Sequence, residues 1–128
     1  IDHLLNHDIY SLVFQEETYY IPLWHEQVEF IHETYKVVVN IDPVLPNGIF
    51  KDRHNVLYVY QSISIRELNG KKTYDVFIGK RKFTINVSEL NLQSSISFLQ
   101  SGIASISTTD MFSIDTLNPV YIYVVFTD

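Results

Sequence analysis

The stretch ISIRELNGKKTYDVFIGKRKFTI, residues 63–85, decides the fold because it holds the most regular pattern in the chain. In residues 82–87 (KFTINV), apolar and polar residues alternate, as in a strand with one buried face. Asn69-Gly70 is a turn signal, and Gly79-Lys80 fits a two-residue hairpin turn with glycine first. The stretch therefore predicts three pieces of strand joined by turns. It contains no candidate catalytic residue, and we expect it to act as a scaffold.

The composition of the whole chain predicts an all-β fold. Tyr occurs 9 times and Phe 8 times, whereas the strong helix formers Ala and Met occur once each. The only helix candidate is the short segment 1–8 (IDHLLNHD). Several short, regularly spaced strands favour a two-layer β-sandwich. The predicted strands are residues 9–14, 18–23, 28–31, 35–41, 56–61, 63–68, 74–78, 83–87 and 120–126.

Two prolines and an Asn-Gly pair break the strand pattern between residues 42 and 49. Proline cannot donate to a β-ladder, so we interpret this segment as a junction. The predicted organisation is an N-terminal segment (1–8), a small β unit (9–41) and a β-sandwich domain (42–128). Residues 91–109 are rich in Ser and Thr but retain enough apolar residues to be ordered.

Charge and composition argue against several classes of function. The 128 residues carry 9 Lys and Arg against 15 Asp and Glu, a net charge of −6, which disfavours nucleic-acid binding. The one basic cluster flanks the two turns within 63–85, where solvated charge is expected. The longest apolar run, 120–126, is far shorter than the roughly 20 residues of a membrane span. We expect neither a nucleic-acid nor a membrane partner.

The ends and the cysteine content bear on location. There is no cysteine, so disulfides and zinc–thiolate sites are excluded, and a reducing compartment is compatible with the sequence. No signal peptide is visible, and because the chain begins with Ile1 rather than Met, we expect a fragment or a processed product. The predicted location is the cytoplasm, or the virion if the protein is viral.

Candidate catalytic and metal-binding residues are few. His3 and His7 lie one helical turn apart, and His25 and His32 could add ligands, but a metal site needs three or four converging ligands. Solvation explains the carboxylate pair at residues 16–17 within a predicted turn. No phosphate loop or nucleophile elbow is present. The sequence therefore predicts no enzyme activity, no metal and no cofactor.

The aromatic segment, residues 19–24 (YYIPLW), is the unusual feature of the chain. It gathers large apolar side chains, including the only Trp, around a proline. In one interpretation it is an edge strand whose aromatic residues fill the core. In the other it forms an apolar edge that accepts an extended peptide by strand addition. The candidate peptide-binding residues are Tyr19, Tyr20, Ile21, Leu23 and Trp24.

The order of features resembles the C-terminal β-domain of DnaJ-type, J-domain co-chaperones. Residues 50–59 (FKDRHNVLYV) and 63–70 (ISIRELNG) are similar to that family's Phe-Lys/Arg-Arg-Asp, Leu-Tyr-Val and Ile-Ser-Leu-Arg-Glu segments. The IGKR turn at 78–81 and the final VYIYV strand at 120–124 also look similar. The resemblance covers about residues 41–128. A narrower one, on Ile-Pro-Leu-Trp-His at 21–25, is to DnaJ-like proteins of large DNA viruses.

The resemblance implies a substrate-binding role. Residues 9–40 look like a shortened remnant of the preceding β-domain, which carries an apolar peptide-binding cleft in this family. The chain departs from the family in lacking a cysteine-rich zinc module and a His-Pro-Asp tripeptide. A heat-shock chaperone could therefore be a partner only through a J domain that this chain does not contain.

The resulting prediction is a non-catalytic, protein-binding module of a co-chaperone that binds extended apolar segments of client proteins. The alternative is a structural or interaction component, such as a minor virion protein, built on the same β-sandwich. A metal-dependent enzyme is the third hypothesis, and it requires bound metal.

Overall fold

The computed structural model describes residues 1–90 and 95–127, and it confirms an all-β protein with two very short α-helices. The helices are α1 (Asp2–Leu5) and α2 (Val87–Leu90), and Ile65–Leu68 forms one turn of 3₁₀ helix. The strands are β1 (Ile9–Phe14), β2 (Glu17–Pro22), β3 (Gln27–Ile31), β4 (Lys36–Asn40), β5 (Ile49–Lys51), β6 (Leu57–Ser64), β7 (Thr73–Ile78), β8 (Arg81–Asn86), β9 (Ser95–Phe98) and β10 (Val120–Thr127).

Most strand predictions agree with these bounds to within two residues, but β5 and β9 were not predicted and the predicted strand at 63–68 is wrong. β6 continues through Ser64, and the chain then turns into the 3₁₀ helix. The last described pair between β6 and β10 joins Ser64 to Thr127. Residues 91–94 of the Ser/Thr-rich stretch lie outside the described residues.

The strands form one four-stranded sheet and three two-stranded hairpins, β1–β2, β3–β4 and β7–β8. The strand order in the large sheet is β5-β6-β10-β9. The pair β6–β10 is parallel, and parallel neighbours need a long crossover connection. Here the crossover contains the β7–β8 hairpin, so most of the regular stretch 63–85 lies, in sequence, between the two central strands of the sheet.

Two of the hairpin turns show how local sequence sets local structure. Gly79 has φ of 60°, which glycine adopts without steric cost, and the predicted two-residue turn after β7 is confirmed. The turn between β1 and β2 consists of Gln15 and Glu16, at φ of 50° and 66°. Neither Gln nor Glu favours this left-handed region, so the tight turn of this hairpin forms at a cost in backbone strain.

The buried side chains form two cores. The first core lies between the four-stranded sheet and the β7–β8 hairpin, with Leu57, Val59, Ile122, Ile78 and Ile85 among its members. The second core is smaller and lies between the β1–β2 and β3–β4 hairpins.

The first core contains residues from both sides of the predicted boundary at residue 42. Leu4 and Leu5 of α1 and the indole of Trp24 pack into the first core, with residues of the predicted β-sandwich domain. The side chain of Arg81 reinforces this attachment, since its guanidinium donates to the carbonyls of Leu5 and Ser101 at 3.0 and 2.7 Å. No helix within residues 1–90 and 95–127 has the length and apolar character to cross a membrane.

Candidate functional site

A groove of about 710 Å³ runs between the β1–β2 hairpin and the β3–β4 hairpin. It is more apolar than polar, and two strands supply its lining. From β1 and the following turn come Leu12, Phe14 and Gln15, and from β4 and the residue before it come Tyr35, Lys36, Val37, Val38, Val39 and Asn40.

The two strands contribute to the groove in different ways. All five residues of β4 and the residue before it line the groove, and consecutive side chains of a strand point to opposite faces. The groove therefore follows the edge of β4 rather than either face. On β1, Leu12 and Phe14 are two residues apart and lie on the same face. The edge of β4 forms one wall, and that face of β1 forms the other.

The hydrogen bonds at the two ends of the β3–β4 hairpin fix which groups of β4 are paired. The amide of His32 donates to the carbonyl of Tyr35 at 2.9 Å, and the amide of Ile41 donates to the carbonyl of Glu26 at 2.8 Å. Paired and unpaired residues alternate along an antiparallel ladder. Every second residue from Tyr35 to Ile41 therefore directs its main-chain groups towards β3.

The intervening residues, Lys36, Val38 and Asn40, direct their main-chain N–H and C=O groups to the open edge. In the part of the chain that the structure describes, none of these groups forms a hydrogen bond on that side. An open edge of this kind is a template for another strand, and natural proteins usually protect it with charges, bulges or proline. The central residues of β4 are three valines, and Lys36 supplies its only charge.

The wall formed by β1 is incompletely covered. Tyr10, Leu12 and Phe14 share a face with Tyr19 and Ile21 of β2, and that face packs on the second core. Yet Tyr10 remains 57% exposed and Phe14 47% exposed. The β1–β2 hairpin therefore exposes aromatic surface on the same face that packs on the second core.

A polar cluster joins the two hairpins next to the groove. The Tyr19 hydroxyl lies 2.7 Å from Nε2 of His32 and donates to Glu17 at 3.2 Å. The His32 ring stacks on Tyr35, with ring centres 4.4 Å apart. Burial, helped by the neighbouring Tyr35 and Glu17, raises the pKa of Tyr19 to about 12, so its hydroxyl stays protonated and able to donate. The cluster fixes Tyr35 at one end of the groove.

The predicted peptide-binding residues do not share one surface. Tyr19 and Ile21 are buried in the second core, and Trp24, at 1% exposure, is buried in the first. Leu23 is half-buried beside the second core, and Tyr20 is 56% exposed on the opposite face of β2. The interpretation in which the aromatic residues fill the core describes Tyr19, Ile21 and Trp24. None of the five lines the groove.

The histidines considered as metal ligands are dispersed in the structure. His3 bonds to Asp8 at 2.8 Å, His7 accepts a hydrogen bond from the amide of Ala104, and His32 belongs to the polar cluster. His25 is buried next to Trp24. Among residues 1–90 and 95–127, no three His, Asp or Glu side chains lie close enough together to hold a metal ion.

Comparisons with known proteins add no relative. No protein-family model matches the chain, and no curated protein is significantly similar to it. The resemblance to DnaJ-type co-chaperones therefore stays a prediction.

Sequence reasoning predicted β4 as a strand but not as the wall of a groove. The sequence feature that marks β4 is the run Val37-Val38-Val39, in which consecutive valines point to opposite faces of the strand. Such a run is typical of a strand covered on both sides, but β4 ends its sheet.

Proposed function

We propose that this protein is a non-catalytic, protein-binding module that holds extended apolar segments of other polypeptides in the groove between β1 and β4. The observation that carries this proposal is the open edge of β4, which directs three pairs of main-chain groups into an apolar groove. Strand addition at such an edge is a common way to bind an extended peptide.

A bound strand would use both walls of the groove. Its main chain would exchange hydrogen bonds with Lys36, Val38 and Asn40, whichever side chains it carries. Because its side chains alternate, every second one would point towards Leu12 and Phe14, and these would need to be apolar. The main chain thus supplies general affinity, and the alternating pattern supplies selectivity.

The expected affinity is low. Each main-chain hydrogen bond contributes about 0.5–1.5 kcal/mol net, whereas ordering each residue of a flexible peptide costs about 1–2 kcal/mol. Burial of apolar side chains against Phe14 must supply the surplus. Dissociation constants of about 1 µM to 1 mM are therefore expected, which suits a module that releases what it binds.

The resemblance favours a particular use of this binding, as the client-binding part of a DnaJ-type co-chaperone with a β-sandwich of that family's C-terminal type. Contact with a heat-shock chaperone would then require a J domain elsewhere in the assembly. A cytoplasmic location fits this use.

A structural role, as an interaction component such as a minor virion protein, is the second candidate. Phe50 and Tyr60 favour it, since both are more than half exposed on the large sheet and would suit a permanent contact. Stoichiometric incorporation into an assembly would distinguish this role from a cycle of binding and release.

The test of the proposed function removes one hydrogen-bond donor from the edge of β4. Val38→Pro deletes an N–H that does not bond to β3, so the hairpin should survive. Its matched control is Val13→Pro on β1. The amide of Leu23 donates to the carbonyl of Asp8 at 3.2 Å, so Asp8 and every second residue after it direct their main-chain groups towards β2. The residues between them, including Val13, direct their N–H groups to the open edge of β1.

The probe is a fluorescein-labelled peptide in which Val alternates with Thr, with a Lys at each end, followed by fluorescence anisotropy. We expect Val38→Pro to weaken binding at least about tenfold, while Val13→Pro binds like the wild type. A wild-type protein that does not bind the peptide at about 1 mM contradicts the function. Loss of binding in Val13→Pro alone moves the site to the edge of β1.

A further inference from the structure

The outer face of the four-stranded sheet is the second unusual surface of the molecule. The side chains that point away from the first core include Phe50 on β5, Tyr58 and Tyr60 on β6, and Tyr121 and Tyr123 on β10. The other outward positions along the four strands are serines, one threonine and one valine. Not one outward position on these strands carries a charge.

The aromatic rings of this face are already held in place. Tyr58 stacks on Tyr121 with ring centres 5.7 Å apart and planes at 19°, and Tyr60 stacks on Tyr123 at 5.1 Å and 18°. The Phe50 ring packs edge-on against Tyr60 at 5.7 Å. Because these rings are ordered before any contact forms, a partner that covers them loses little side-chain entropy.

The face has the character of a surface that is covered in the functional state. Phe50 is 57% exposed and Tyr60 is 52% exposed. Parallel strands such as β6 and β10 are normally covered on both faces of their sheet. Contiguous exposed aromatic surface commonly marks a contact site.

The absence of charge on the outer face lets a second copy of the same chain pack against it. Each chain has a net charge of −6, so two copies repel each other wherever charged surfaces meet. The outer face avoids this repulsion, although Asp52, whose carboxylate lies 3.5 Å from the Tyr58 hydroxyl, reaches its rim. A nucleic acid or a strongly charged protein would find no charged side chain on these strands to pair with.

Hydrogen bonding also favours self-pairing. Tyr, Ser and Thr hydroxyls both donate and accept, so a face built from them can satisfy an identical face across a two-fold axis. We propose that two copies of this chain pack their outer sheet faces together as a symmetric dimer. This inference concerns a different surface from the groove and does not depend on the proposed function.

The size of the face sets the expected strength of the dimer. β6 and β10 have 8 residues each, which at about 3.3 Å per residue gives a length of about 26 Å. Four strands about 4.8 Å apart make a footprint of at most about 500 Å². A standard interface buries about 800 Å² on each partner, so we expect dissociation in the range of about 10–100 µM.

Sedimentation equilibrium from about 1 to 500 µM tests the dimer. We expect the wild type to self-associate over this range and Tyr60→Lys to weaken association at least about tenfold, because it places like charges across the two-fold axis. Tyr20→Lys is the matched control, since Tyr20 is also an exposed tyrosine on a strand but lies on β2. It should associate like the wild type, as should the groove variant Val38→Pro.

A second variant, Ser97→Lys, places a charge on the exposed part of β9 and tests the dimer if Tyr60→Lys does not fold. Circular dichroism shows whether each variant is folded. A wild type that stays monomeric throughout the range overturns the dimer, whatever else binds to the face. Association that is unchanged in folded Tyr60→Lys and folded Ser97→Lys also overturns the dimer. Loss of association in the control Tyr20→Lys overturns it as well.

Discussion

The side-chain amide of Asn55 donates a hydrogen bond of 2.7 Å to the main-chain carbonyl of Trp24, across 31 residues of sequence. The same amide donates to the carbonyl of Ala104 at 2.9 Å, and no part of the Asn55 side chain is exposed. One buried side chain therefore holds three segments of the chain together. This contact anchors the main chain at Trp24, whose indole packs in the first core.

Asn55→Ala should lower the free energy of unfolding by about 3 kcal/mol or more, because it leaves two buried carbonyls without their donor. Asn55 also has φ of 68°, a conformation that asparagine tolerates better than alanine. Chemical denaturation measures the loss. Asn55→Gly separates the two effects, since glycine removes the amide but accepts the backbone angle, and it should recover about 1 kcal/mol.

Trp24 and Tyr20, both predicted from sequence as peptide-binding residues, should behave differently. Trp24→Ala should destabilise the protein by about 3–5 kcal/mol, whereas Tyr20→Ala should change stability by about 0.5 kcal/mol or less. Urea denaturation measures both changes. Trp24→Phe, which keeps more of the core, should still bind the alternating peptide, since Trp24 does not line the groove. Specific loss of peptide binding in folded Trp24→Phe would return the site to the aromatic segment.

The β1–β2 turn offers a stabilising change. Replacing Gln15 and Glu16 by Asn and Gly should raise the free energy of unfolding by about 1–2 kcal/mol, because both residues have φ above zero. The control is the same replacement at Glu33 and Thr34, in the β3–β4 turn, where neither residue has a positive φ. Thermal denaturation should show a gain only for the first pair, and equal gains would contradict the assigned turn geometry.

Stability should also fall in mild acid through His7. Nε2 of His7 accepts a hydrogen bond from the amide of Ala104 at 2.8 Å, which only the neutral ring can do. Burial, and then the charge of Arg81, lower the pKa of His7 below its ordinary value of 6.5. Burial likewise lowers the pKa of His25. The unfolded chain therefore binds more protons than the folded chain once the pH drops below about 6.5.

The stabilising effect of neutral His7 is complete above about pH 7 and is lost as the pH falls from about 6.5 towards the folded-state pKa. Urea denaturation between about pH 5 and 8 should show a slope of up to about 1.4 kcal/mol per pH unit for each histidine. His7→Gln should reduce this slope. His3→Gln is the control, since the His3 side chain is 76% exposed, and equal slopes in all three proteins would contradict a role for His7.

The sequence located most of the strands but neither β5, β9 nor the groove, and β4 illustrates why the groove was missed. Periodicity and turn residues are local, and they placed a strand at residues 35–41, close to the observed Lys36–Asn40. Whether Val38 faces a neighbouring strand or an open groove depends on which hairpin packs beside β4. That choice is made by the second core, through contacts between residues far apart in sequence.

By itself, the sequence determined an all-β protein and most of its hairpins, because alternation and turn preference act over a few residues. The hairpin at the centre of residues 63–85 follows from its own alternation and from Gly79. Only the tertiary structure decided that this hairpin lies within a parallel crossover, that Trp24 is buried in the first core, and that β4 keeps an open edge. These outcomes depend on burial shared between distant segments, and a local pattern of apolar residues does not specify which segments meet.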